Sequence, residues 1–153
     1  MKKLFSKKMI LSLGAVVAVL FLLIQLIPVD RSDPPIVSEI NVPADVRTVL
    51  RSSCYDCHSN ETKWPWYSRI APVAWLVASD VSEGRKELNF SKWGDYSVKK
   101  QTKKLKEIRL EINKGDMPPW NYLIIHKEAA LSADDKNLLL QWALDSTPQP
   151  DSQ

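Results

Sequence analysis

The sequence predicts an all-α protein, with one amino-terminal transmembrane helix followed by a small helical domain. Three observations predict it. Residues 9–27 read MILSLGAVVAVLFLLIQLI, an uncharged apolar run interrupted by a single amide, Gln25. Beyond it, apolar residues recur at spacings of three and four in segments bounded by proline, serine or glycine. Almost nowhere does the chain alternate polar and apolar residues in the two-residue period of a half-buried strand.

The apolar run comes first. Its nineteen residues, at the rise of an α-helix, extend about 28 Å, close to the roughly 30 Å of a bilayer core. Lys2, Lys3, Lys7 and Lys8 precede it, and the mixed charges of Asp30, Arg31 and Asp33 follow it. The positive-inside bias therefore puts the amino terminus in the cytoplasm and the rest of the chain on the extracytoplasmic side. The alternative is a cleaved secretory signal, whose apolar region is shorter and ends in a small-x-small site. Leu26-Ile27-Pro28-Val29-Asp30 offers no such site, so residues 1–28 are read as an uncleaved anchor in the cytoplasmic membrane. Both readings export the domain.

Residues 29–41 follow as a linker, in which Pro34 and Pro35 favour extended backbone. Four of the 21 Lys and Arg precede residue 29, which leaves 17 against 18 Asp and Glu beyond it. The exported part is near neutral and carries no nucleic-acid footprint.

Residues 42–145 make one domain, small enough for its own core to be marginal without a staple. Its first helix starts after Pro43, with Val46, Val49 and Leu50 on one face. A second starts near Pro72, with Val73, Leu76, Val77 and Val81 as its stripe and Gly84 close to its end. A third has Ser97 as N-cap, an inner face of Val98, Leu105, Ile108 and Ile112, and Gly115 as its C-terminal glycine. The last starts at Ser132 with Asp135 as capping-box partner and buries Leu138, Leu139, Trp142 and Ala143. Residues 146–153 are expected to be a disordered tail.

The chemistry sits where the first helix ends. Cys54-Tyr55-Asp56-Cys57-His58 holds both cysteines and one of the two histidines of the chain. A disulfide or a thioredoxin-like redox pair uses the same spacing, but the latter wants a strand-rich βαβ setting. Structural zinc needs four ligands, and adjacent Cys57 and His58 fit poorly around one tetrahedral ion. Covalent haem fits each feature: two thiols on one helical turn can add to two vinyl groups, and a histidine after the second reaches the iron. Export supplies the compartment for such attachment.

For the sixth iron position, Met117 and His126 compete, with water or an open site as the third possibility. Met117 lies in KGDMPPW, past a helix end and before two prolines. A thioether there would favour ferrous iron and raise the reduction potential; a methionine that fills a core gap is the plainer reading. Trp75 and Trp142, on apolar helix faces, read as core, whereas Trp64 and Trp66 follow the motif closely enough to contact the haem. Tyr67, Arg69, Arg85 and Trp93 are candidate donors to haem propionates. Lys99, Lys100, Lys103, Lys104 and Lys106 crowd one helix. They read as its solvated face, or as a docking patch for an acidic redox partner.

Several stretches together resemble a known family. WPWYSRIAPVAWLV (64–77), EGRKELNFSKW (83–93), GDMPPWNY (115–122) and the segment from His126 to Trp142 are similar in order and spacing to the bacterial haem-binding domain family, and more distantly to small class I c-type cytochromes. The resemblance spans about residues 40–145. It implies a mostly helical, cytochrome c-like fold around one covalent haem c, with Cys54 and Cys57 as attachment residues and His58 as proximal ligand. Met117 matches the position of the distal methionine of class I cytochromes. The expectation is a single-pass membrane cytochrome that passes single electrons to redox protein partners. It has no acid–base pair and no defined small-molecule substrate, so it reads as a carrier rather than a catalyst. A gas sensor or peroxidase-like enzyme is the alternative and would need a labile sixth ligand.

Overall fold

The computed structural model describes residues 7–147; Lys2, Lys3 and the tail residues 148–153 lie outside them. Among the described residues the chain is all-helical, with seven α-helices, three short 3₁₀ turns and no strand. The residues up to Ser32, together with Trp64–Asp80, form one compact unit; Asp33–Lys63, with the residues from Val81 onward, form the other.

The first unit holds helix α1 (Lys7–Ile24), none of whose residues is buried and whose mean hydropathy is 2.2. It is long and apolar enough to cross a membrane. Its amide is its anchor to the unit. The Gln25 side chain accepts from Ala71 N at 2.9 Å and donates to Ala71 O at 3.2 Å, and Arg31 donates to Ser68 O at 3.3 Å.

In the second unit, α2 (Ala44–Ser53) follows Pro43 and buries Val46, Val49 and Leu50 as expected. One further turn, α3 (Tyr55–His58), carries the cysteine motif. Helix α4 (Val73–Glu87) begins in the first unit and ends in the second. Here the expected stripe is corrected: Val73 is 40% and Leu76 65% exposed, while Ala74 and Val81 are buried. Gly84 lies close to the end of α4, as expected, the helix running on to Glu87. The position needs glycine for space: a Cβ there would stand 2.7 Å from the Cys57 carbonyl oxygen.

Helix α5 (Val98–Lys114) has the expected ends, with Lys100 N donating to Ser97 Oγ and Gly115 in the left-handed region at φ 78°. Leu105 and Ile112 are buried, but Val98 is exposed. Lys104 departs from the solvated face expected of its neighbours, being only 8% exposed. After α6 (Trp120–Leu123), α7 (Ala133–Asp145) opens with a complete capping box of Ser132 and Asp135 and buries Leu139, Trp142 and Ala143. Helices α5 and α7 pack together over a core that includes Leu50, Tyr55, Phe90, Leu105 and Leu139.

The expected linker is extended but is not a free stalk throughout. Ile40 N donates to Phe90 O at 2.9 Å, Val37 N and Ser38 N both donate to Ser91 O, and Ile40 and Val42 enter the core.

Candidate functional site

The motif is shaped by the join between α2 and α3. Cys54 N donates to Leu50 O at 2.9 Å, closing α2, and His58 N donates to Cys54 O at 2.9 Å, closing the next turn. Residues four apart on such a turn share a side. Cys54 and His58 accordingly line one cavity of about 430 Å³, within the roughly 300–1,000 Å³ usual for ligand sites. The two cysteines are not joined as a disulfide. Burial, with Cys57 close by, pushes the Cys54 thiol up to about 12, so it is protonated at neutral pH.

His58 is fixed from behind. Its Nδ1 lies 2.9 Å from Gly84 O and 3.2 Å from Leu88 O. A carbonyl can only accept, so Nδ1 carries the proton and Nε2 keeps its lone pair. Burial lowers the pKa of the imidazole, against the opposing pull of those two carbonyls, and so favours the neutral ligand form.

The carbonyls are held by a buried polar network that the sequence reading did not find. Asn60 N donates to Ser91 Oγ at 2.9 Å, Asn89 Nδ2 to Asn60 Oδ1 at 2.8 Å, and Ser91 N to Asn89 Oδ1 at 2.9 Å. These bonds tie the residues after His58 to those after Leu88. Arg85 belongs to the same frame: it donates to Ser59 O at 2.8 Å and Thr62 Oγ1 at 2.9 Å and is paired with Asp33. Asn60, Asn89 and Ser91 stand singly in the sequence with no period, and only their near-complete burial singles them out.

The facing wall comes from α5, α7 and the strap between α5 and α6. Ile108, Leu110 and Ile112 face the cavity, with Leu131 and Leu139, and Met117 and Pro118 line it from the strap. Met117 is 41% exposed, at the rim. The strap is tied to the motif by Tyr122, whose hydroxyl donates to Asp56 Oδ2 at 2.7 Å. His126 is placed otherwise: its ring stacks on Tyr122 at 4.3 Å and its Nδ1 lies 3.1 Å from Glu128. It does not line the cavity.

The other expected contact residues are dispersed. Trp93 packs between Phe90 and Tyr96 in the second unit. Trp64, Trp66, Tyr67 and Arg69 belong to the first unit, where Trp66 is exposed and stands edge-on to Tyr67 at 5.8 Å. No group of three or more His, Cys, Asp or Glu able to hold a metal ion occurs among the described residues. What the cavity does assemble is one imidazole, a thiol on the same turn, a thioether and mostly apolar walls, with Glu87, Lys104, Glu107 and Glu111 as its charged residues. That donor set fits a flat apolar group whose metal takes nitrogen on one side and sulfur on the other.

No curated protein and no solved structure matches the chain. A sequence profile described as a haem-binding domain matches residues 19–145.

Proposed function

Because the chain belongs to the haem-binding domain family, and so is a haem protein, we propose that it is a membrane-anchored monohaem c-type cytochrome that carries single electrons outside the cytoplasmic membrane. The observation that carries this reading is His58, held at Nδ1 by two backbone carbonyls, lining one largely apolar cavity with Cys54 and Met117.

In this reading, haem supplies reversible one-electron chemistry at its iron. Cys54 and Cys57 would hold it through thioether bonds. His58 binds the iron through Nε2, and the carbonyls of Gly84 and Leu88 fix the plane of its ring and raise its basicity. Met117 would supply a thioether ligand to the iron, and Ile108, Ile112 and Leu139 would pack against the macrocycle. Helix α1 spans the cytoplasmic membrane once, with the haem domain on the extracytoplasmic side, where it meets redox protein partners. A carrier needs no more than this: a closed iron and walls that do not rearrange.

The test uses the full-length protein, purified from membranes. Haem stain should persist after denaturation and should disappear when Cys54 and Cys57 are both replaced by Ala; stain retained by the double variant refutes covalent attachment. Carbon monoxide added to the reduced protein should leave its absorption spectrum unchanged. A rapid spectral shift would show an exchangeable sixth position and would move the sensing and peroxidase readings ahead of the carrier.

A further inference from the structure

We propose that Lys104 is the cavity's anchor for a haem propionate; this rests on the haem reading above. Haem brings two carboxylates into any pocket that holds it, and a carboxylate at the edge of an apolar cavity needs a charged donor. Of the described residues that line the cavity, Lys104 is the only cation. It is also the one lysine of the α5 cluster that turns inward: Lys99, Lys100, Lys103 and Lys106 are exposed or half-buried, whereas Lys104 is 8% exposed.

An ammonium is not buried without cause, since desolvating it costs several kcal/mol unless anions offset the loss. Lys104 Nζ lies 2.7 Å from Glu107 Oε2 and 3.5 Å from Glu87 Oε2. Burial works against its charge, but those two carboxylates outweigh burial and hold its pKa above the ordinary lysine value. The ammonium is thus charged and in place before any ligand arrives.

The glutamates on the same wall do not bar a propionate, because none depends on Lys104 alone. Glu107 has a second cation in Lys103 at 3.4 Å, and Glu111 is paired with Lys114 at 3.0 Å. Glu87 has a side chain 80% exposed, so water solvates it. Lys104 can therefore exchange its hold on Glu107 for a propionate and strand no buried anion. Arg85, by contrast, is committed to Ser59, Thr62 and Asp33.

The test compares full-length, haem-loaded protein with its K104M and K104R variants, using the propionate bending mode in the resonance Raman spectrum and the midpoint potential. K104M should shift the mode and lower the potential, because an unneutralised propionate favours ferric iron; K104R should restore both most of the way. A propionate mode in K104M identical to the wild type overturns the proposal, even if the potential moves. Should K104M hold no haem, E107Q decides: freeing Lys104 from its nearest carboxylate should shift the mode and raise the potential, and an unchanged mode overturns the proposal. Wild-type protein that carries no haem refutes the haem reading itself, whereas haem-loaded protein with an unchanged mode refutes only the role of Lys104.

Discussion

An imidazole is oriented by the group behind it, and for His58 that group is backbone. Two carbonyls that cannot be titrated leave one tautomer of the ring favoured. One of them belongs to Gly84, where the helix presses so close to the motif that a Cβ would stand 2.7 Å from the Cys57 carbonyl oxygen and 3.1 Å from its Cβ. Replacing Gly by Ala inside a helix normally stabilises by up to about 1 kcal/mol. Here the neighbour is backbone and cannot swing aside, so Gly84→Ala should destabilise the protein by about 1–3 kcal/mol. Thermal unfolding followed by circular dichroism checks this, and a higher melting temperature would mean that α4 does not approach the motif so closely. At this scale the placing of Cys54 and His58 on one turn was legible, because it depends on spacing along the chain. The carbonyls that orient His58 were not, because they lie 26 and 30 residues away and are brought to it only by packing.

Elements were readable where their ends are local. Ser97, Gly115 and the Ser132–Asp135 pair act within one turn of their own helix, so the bounds of α5 and α7 follow from the residues that cap them. Ser132→Ala removes one arm of a complete capping box and should cost about 1 kcal/mol, seen as a lower denaturant midpoint at unchanged slope; an unchanged midpoint would show that the box adds nothing in this context. Helix α4 misled because its apolar stripe is not its buried face, Val73 and Leu76 being exposed and Ala74 buried. Turns of four residues such as α3 and α6 are too short to show a period. Yet α6 carries the bond that matters for the site, from Tyr122 to Asp56. A partly buried hydrogen bond to a carboxylate contributes about 1.5–3 kcal/mol. Losing it frees the strap that holds Met117. Tyr122→Phe should therefore leave haem attached while letting carbon monoxide shift the spectrum of the reduced protein, which in the wild type should stay unchanged. A variant spectrum as unaffected as that of the wild type would show that the strap is held by its prolines and not by Tyr122.

At the scale of the whole molecule, the chain reads as a small core completed by something that the protein does not encode. Leu50, Phe90 and Leu139 belong to the buried core and also face the cavity, so part of the core's inner surface is the wall of the site. Neither the bonds of Val37, Ser38 and Ile40 to Phe90 and Ser91 nor those that join Asn60 to Asn89 and Ser91 were legible, because their partners lie about 50 and 30 positions away. A group that fills such a cavity and binds the native state alone must stabilise it by mass action, and the thioether attachment proposed above would make that gain permanent. It also covers apolar surface that would otherwise meet water, at about 25 cal/mol per Å². Protein made without haem should then melt well below the loaded form and be cut faster by protease at the residues lining the cavity, Met117 and Leu110 among them. Limited proteolysis and thermal unfolding of the two forms, prepared from the same membranes, measure this together. If both forms resist protease equally and melt at the same temperature, the domain folds without its cofactor and the cavity is a preformed pocket; if the haem-free form is digested first along α5 and the strap, the haem is the missing part of the core.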